Sequence, residues 1–276
     1  MQHGPYDGAD GCLAHVLLLA ALVFFAAPAM AAEDIRLATT TSTENSGLLK
    51  VILPIFEAKY GGKVRVVAVG TGAALKLGEN GDADVVLVHA RALEDKFMAA
   101  GFGSVRRDVM YNDFIIVGPK SDPAGVRGSK DVIAAMKKIS TSGARFVSRG
   151  DESGTHQMEK VYWKDAGVAP RGGWYLSAGQ GMGQVLTMAA QLEGYTFTDR
   201  STYAAYKDKT GLDTLVEGDP KMFNPYGVIV VNPQRHPQAN HAGALAFAAW
   251  LTSPAGKKAI ADFKLNGVQM FFPSAK

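Results

Sequence analysis

The chain has 276 residues, 47% of them hydrophobic and 20% charged, with a formal net charge of +3. That length allows one large domain or two ordinary ones, and the composition is that of a globular chain, not a disordered or fibrous one. The charge is mild and not gathered in runs, which gives no support for nucleic-acid binding and favours the approach of a small anion.

In chain order the first feature is the apolar run VLLLAALVFFAAPA (Val16–Ala29), ending at Ala29-Met30-Ala31. The run is short for a membrane span and closes on an A-x-A cleavage pattern, so residues 1–31 are expected to be a secretory signal peptide. The mature chain would begin near Ala32 and be periplasmic. The leading segment MQHGPYDGADG departs from the usual pattern, since it carries Asp7 and Asp10 and no Lys or Arg. The single cysteine, Cys12, precedes the run, so the mature chain is expected to have no disulfide and no thiolate.

Beyond residue 31, short β-like runs alternate with helical patterns. Strands are predicted at Ile35–Ala38, Val64–Val69, Asp84–Val88, Phe114–Val117, Ala144–Ser148, Trp174–Ser177, Tyr195–Thr198 and Gly227–Val231. Leu48, Leu49, Ile52 and Phe56 make an apolar stripe at helical spacing, with Pro54 expected to kink that helix. Val185, Leu186, Ala189 and Leu192 make another. Ala244–Leu251 and Ala255–Phe263 read as a terminal helical pair broken at Ser253-Pro254. The alternation predicts an α/β architecture with mostly parallel sheets. Two stretches look like crossings between lobes, FIIVGPKSDPAG (Phe114–Gly125) and NPYGVIVVNP (Asn224–Pro233). They divide the mature chain into a discontinuous first lobe, residues 32–117 plus 231–276, and a second lobe, residues 118–230. A cleft between two such lobes suits a small ligand.

Four turns share one design: a strand, then small hydroxyl or Gly residues, then a helix. They are TTTSTENSG (Thr39–Gly47), VGTGAAL (Val69–Leu75), SRGDESGTH (Ser148–His156) and AGQGMGQ (Ala178–Gln184). A helix N-terminus presents unpaired N–H groups and a partial positive charge, which stabilise anions. Gly lets the backbone approach a ligand closely, and Ser and Thr add hydroxyl donors. A single such turn is ordinary helix capping; four in one chain, one of them holding an arginine, point to anion binding. The arginine is Arg149, whose planar paired donors match an oxyanion. Asp151, two residues on, can hold it or cap the next helix.

Competing chemistries fit less well. GQGMG lacks the spacing of a dinucleotide fingerprint, and no phosphate-loop motif occurs. Ser153 and His156 lie three apart on one predicted helix, whereas a hydrolytic triad assembles from separate elements. His89 and His156 have no ligand partners at metal-binding spacing and read as hydrogen-bonding or packing residues. Asp82 and Asp84 flank a strand start and read as turn residues.

At TTTST, VGTG, DADVVLVHA, VMYNDFIIVGPKSDPAG, SRGDESGTH and WYLSAGQGMG the chain closely resembles the tungstate-binding proteins of bacterial ABC importers. The resemblance implies a two-lobed type II periplasmic-binding-protein fold with two crossover strands. It also implies capture of tungstate in the interdomain cleft and hand-over to an importer permease in the inner membrane. The ligand positions it implies are Thr39, Thr40, Thr41, Ser42 and Arg149, joined by Ser153, Gly154 and Thr155 from the second lobe. Thr71, Gly72, Gly181, Met182 and Gly183 complete the expected site from the remaining two turns. No catalytic residue, cofactor, metal cation or nucleic acid is expected, and the protein is expected to act as a monomer. The pattern R-x-D-x-S-G-T also occurs in phosphate-binding proteins, so molybdate and phosphate stay open as ligands, with a secreted ester hydrolase as the alternative from another class. An enzyme needs a base or nucleophile beside the bound anion, whereas a carrier needs donors only.

Overall fold

The computed structural model describes residues 32–275, so the expected signal peptide lies outside the described residues. The first stretch runs β1 (Ile35–Thr40), α1 (Thr41–Asn45), α2 (Leu48–Tyr60), β2 (Val64–Val69), α3 (Thr71–Asn80), β3 (Val85–Val88) and α4 (Arg91–Ala99). The long strand β4 (Gly103–Gly118) follows, then α5 (Val132–Ser142), β5 (Phe146–Ser148), α6 (Gly154–Asp165) and β6 (Tyr175–Ser177). Next come α7 (Met182–Gln191), β7 (Thr196–Asp199), α8 (Arg200–Thr210), β8 (Asp213–Val216) and β9 (Phe223–Val231). The chain ends with α9 (His241–Thr252), α10 (Pro254–Asp262) and three two-residue strands, β10 (Lys264–Leu265), β11 (Val268–Gln269) and β12 (Phe272–Pro273). Among the described residues no helix is long and apolar enough to cross a membrane.

Strand β4 belongs to two sheets. Its first part, Gly103–Asp113, pairs antiparallel with β9 in the order β12-β4-β9-β3-β1-β2. Its last part, Phe114–Gly118, pairs antiparallel with β7 and β8. Val230 and Val231, expected at a crossing, pair instead within the first sheet, against β3 and β4. Among the described strands, the parallel pairings are β1 with β2, β1 with β3, and β5 with β6. The sheets are therefore mixed and not mostly parallel, because β9 runs through the middle of the first sheet antiparallel to both β3 and β4.

Unbroken apolar runs produce layers on both faces of each sheet. In β3, Val85 and Leu87 face the core under α2, α9 and α10, while Val86 and Val88 face a second core with Ala74, Leu75 and Phe97 of α3 and α4. The same alternation recurs at the end of β4. Phe114 and Ile116 pack with Val132, Met136, Tyr162 and Trp163, and Ile115 and Val117 pack with Val185, Leu186 and Tyr203. Each such side chain contributes roughly 1.5–3 kcal/mol by leaving water. Helix α2 runs unbroken through Pro54 and buries the predicted stripe Leu48, Leu49, Ile52 and Phe56. The two β4 segments thus carry separate cores, and the parallel strands β1, β2, β5 and β6 aim their C-terminal ends at the four predicted turns.

Candidate anion site at four helix N-termini

Each turn sits where a parallel strand hands over to a helix, the usual location of a ligand in open α/β sheets. β1 leads into α1 with Thr40 as N-cap, β2 into α3 through Gly70, the Ser148–Ser153 turn into α6, and the Ala178–Gly181 turn into α7. Three of these helices, α3, α6 and α7, are 10, 12 and 10 residues long. Each places roughly half a positive charge at its N-terminus.

The turns meet one another. Arg149 Nη2 donates to Thr41 Oγ1 at 3.1 Å, joining the third turn to the first. Gly154 N donates to Thr71 Oγ1 at 2.9 Å, joining the third to the second. A Cβ on Gly154 would lie 3.0 Å from the His89 carbonyl oxygen and 3.2 Å from Thr71 Oγ1, so a side chain there would crowd α6 against both neighbours. A Cβ on Gly181 would lie 3.9 Å from Thr41 Cβ, which brings the fourth turn against the first.

Arg149 is 1% exposed. Its Nη2 is shared between Thr41 and Asp151 Oδ2, the latter at 2.5 Å. Its Nε and Nη1 are buried with no protein partner, and so is Thr155 Oγ1. A buried donor left unmatched costs about 1–3 kcal/mol, more when charged, so this cluster calls for an acceptor that the protein does not supply. The backbone around Arg149 is bent to the purpose. Gly150 and Glu152 both lie in the left-handed region, at φ 61° and 57°. Glu152, a non-glycine residue there, is tied down by its N–H to His156 Nδ1 at 3.1 Å and by its carboxylate to Lys160 at 2.7 Å. Such strain persists where surrounding contacts over-determine it. Burial holds His156 below the ordinary histidine range, which suits Nδ1 as the acceptor. Asp151 has both oxygens occupied, Oδ2 by Arg149 and Oδ1 by Ser153 N at 3.2 Å.

The other predicted positions divide by what their side chains already do. Thr39 donates to the Leu87 carbonyl at 2.7 Å, and Thr40 accepts from Thr43 N as the cap of α1. Ser42 Oγ lies 3.0 Å from His89 Nε2, and Ser153 caps α6 by accepting from His156 N. Met182 is buried in the core of the second sheet. A Cβ on Gly183 would meet the end of the Tyr206 side chain, so Tyr206 would have to shift to admit one. Gly72 has open space where a Cβ would project. The structure thus joins Thr41 to Arg149 and Gly181, and Thr71 to Gly154 with Thr155 next along α6, while the side chains of Thr39, Thr40, Ser42, Ser153 and Met182 are engaged within the protein.

The match of a PBP superfamily domain to residues 26–255 agrees with this geometry. The chain belongs to the PBP superfamily. It is 48% identical over 246 residues to the tungstate-binding protein TupA of Peptoclostridium acidaminophilum, covering 88% of this chain and 86% of that relative. The solved tungstate ABC transporter structure from Geobacter sulfurreducens is 56% identical, with a TM-score of 0.78, covering 83% of this chain and 98% of that one. The tungstate-binding protein of Desulfovibrio alaskensis is 49% identical with a TM-score of 0.76, covering 89% and 100%.

In this PBP-superfamily chain one group escaped the motif reading. His89, Asn112, Asn224, Asp199 and Ser201 are all buried behind the first turn. The available signal was a lone asparagine in each of two apolar strands, VMYNDFIIV and FNPYGVIVV.

Proposed function

We propose that the chain is the extracytoplasmic solute-binding protein of an ABC importer, and that it captures tungstate between the four turns for delivery to a membrane permease. The carrying observation is the buried Arg149 guanidinium, whose Nε and Nη1 have no protein partner, together with the equally unmatched Thr155 hydroxyl at the start of α6. An anion there would receive those donors and the N-terminal N–H groups of α3, α6 and α7. The donor set suits an unprotonated dianion. Hydrogen phosphate would need an acceptor for its P–OH, and the carboxylate of this turn, Asp151, already accepts from Arg149 on one oxygen and from Ser153 N on the other. A further carboxylate facing a dianion would put like charges in contact. Molybdate shares the charge and shape of tungstate and is expected to bind the same donors.

The protein belongs to a non-enzymatic solute-binding family, and we infer a periplasmic monomer released from a signal peptide near Ala31/Ala32. Strand pairing supports a two-lobe reading with one change from the sequence-based boundaries. We place the crossings at Asp113/Phe114 within β4 and just before Phe223, in place of 117/118 and 230/231, because Phe114–Val117 pairs with β7 and all of β9 pairs in the first sheet.

Calorimetric titration of the mature protein with tungstate, molybdate, phosphate and sulfate tests the reading. One tungstate per chain, with molybdate competing and millimolar phosphate not competing, is the expected result. Displacement of tungstate by phosphate, lost in Asp151→Asn, would assign the site to phosphate instead.

A further inference from the structure

Behind the first turn, six buried side chains form one hydrogen-bonded series across both long strands: Ser42, His89, Asn224, Asn112, Ser201 and Asp199. Its direction can be worked out from one end. Asp199 Oδ1 already accepts the Thr202 N–H at 2.9 Å, so Ser201 Oγ, 2.6 Å away, must donate to it. A hydroxyl has one proton, so Ser201 Oγ accepts from Asn112 Nδ2 at 3.1 Å. The Asn112 carbonyl therefore faces Asn224 and accepts its Nδ2 at 2.6 Å. That leaves the Asn224 carbonyl toward His89 Nδ1 at 3.0 Å, and the ring nitrogen there must carry the proton. In a neutral imidazole the other nitrogen is then an acceptor, so Ser42, 3.0 Å away, donates its only proton to His89 Nε2 and accepts from Thr40 Oγ1, also at 3.0 Å.

Groups around the ring agree with a neutral His89. It stacks on Tyr226 at 4.6 Å, with Phe114 at 6.3 Å. Burial lowers its pKa, Arg149 opposes a second positive charge, and Asp199 and Asn224 act the other way without prevailing.

We infer that His89 is a positioning residue, fixed as the Nδ1–H tautomer by a relay anchored at Asp199, and that it turns the Ser42 hydroxyl proton away from the bound anion. The inference rests on the reading of the four turns as an oxyanion site. It sharpens that reading, because Ser42 then contributes through its backbone and not through its side chain. The series also passes through Asn112 and Asn224, which face each other in the β4/β9 register one residue before β4 changes sheets. The orientation of a first-turn hydroxyl is therefore set from the N-terminus of α8.

The test is nitrogen-15 NMR of histidine-labelled mature protein near pH 7.5, without and with tungstate. The His89 signals are identified by replacing His156, His236 and His241 with Gln in turn. A protonated Nδ1 and a bare Nε2 in the ligand-free protein are expected; an Nε2–H tautomer or a doubly protonated ring overturns the inference. Asn112→Ala, which cuts the series between Asp199 and His89, should release the ring into a tautomer mixture, and an unchanged single tautomer would remove Asp199 as the anchor. Ser42→Ala should weaken tungstate binding by less than about 10-fold, whereas a hydroxyl donating to a charged ligand is worth roughly 10- to 150-fold. A loss in that larger range assigns the Ser42 proton to the anion and overturns the relay. The tautomer is read without ligand, so a wild-type protein that fails to bind tungstate would refute the proposed function alone.

Discussion

The turns Thr39–Ser46 and Ser148–Thr155 look alike in sequence, both rich in hydroxyls at the start of a helix, yet they serve the site differently. In the first, the hydroxyls of Thr39, Thr40, Ser42 and Ser46 are committed to protein partners. In the second, Arg149 and Thr155 keep buried donors with no partner. Apart from Thr41, which accepts from Arg149, the first turn is a satisfied scaffold that offers backbone N–H groups, and the second holds the charge and the unmatched donors. A count of Ser and Thr in a turn therefore does not measure its binding power. What matters is which donors are already matched.

If that contrast is right, the largest loss of affinity comes from Arg149→Ala. Removing one partner of a buried charged pair costs about 2–5 kcal/mol, a loss of roughly 30-fold to several thousand-fold. Titration calorimetry should show this, and near-equal affinities would remove Arg149 from the site. Thr155→Val should come next, at roughly 10- to 150-fold, because its hydroxyl has no other partner to compensate. An unchanged dissociation constant would mean that Thr155 faces no ligand.

Beneath the second turn lies Glu159, which accepts from Ser148 at 2.8 Å and from Trp163 and Tyr175 at 2.9 Å each. Burial lifts its pKa from the usual glutamate range to about 7. Between the unfolded value and about 7 the folded state holds a proton that the unfolded chain has released, so stability falls as pH rises through that window and levels off above it. The loss across the window is on the order of 3 kcal/mol. Glu159→Gln keeps an acceptor for Trp163 and Tyr175, and the Ser148 hydroxyl can turn to accept from the amide. Urea midpoints between pH 5 and pH 8 should therefore fall in wild type and stay flatter in Glu159→Gln. Parallel profiles would show that Glu159 is ionised throughout.

Thr39→Val probes the scaffold side of the comparison. It should lower stability by about 1–3 kcal/mol, since a buried hydrogen bond to the Leu87 carbonyl is lost, while leaving tungstate affinity within a few-fold. A large affinity loss with unchanged stability would reverse the roles assigned to the two turns. The smallest effect belongs to Arg91→Ala. Its side chain is 55% exposed and paired with Asp95 and Asp108 outside the site, so calorimetry should find no change in affinity.

Much of the architecture was legible because it depends on local chemistry. Val64–Val69 is a strand within the predicted bounds, Ser153 caps the helix that its Ser-Gly-Thr signalled, and Ser253-Pro254 separates the last two helices. The first half of β4 was missed. Its stretch GSVRRDVMYND carries charges on an exposed face and lacks the apolar run that marked its second half. Gly183 reads as a ligand-approach glycine in sequence, and the Tyr206 side chain against it is a second neighbour that only the fold reveals. The His89 relay was beyond local reading, since His89 and Asn224 are 135 residues apart and Asn224 and Asn112 are 112 apart. Which donors remain unmatched is likewise a property of the folded arrangement and not of any motif.

An oxyanion held against Arg149 and Thr155 at the N-termini of α3, α6 and α7 can be located by anomalous diffraction at a tungsten absorption edge, from crystals of the mature protein grown with tungstate. One strong tungsten peak per chain is expected within hydrogen-bonding reach of Arg149 Nε or Nη1 and of Thr155 Oγ1, with Asp151 still on Arg149. A peak elsewhere, or one held by surface lysines with the Arg149 donors still unpartnered, would contradict this placement.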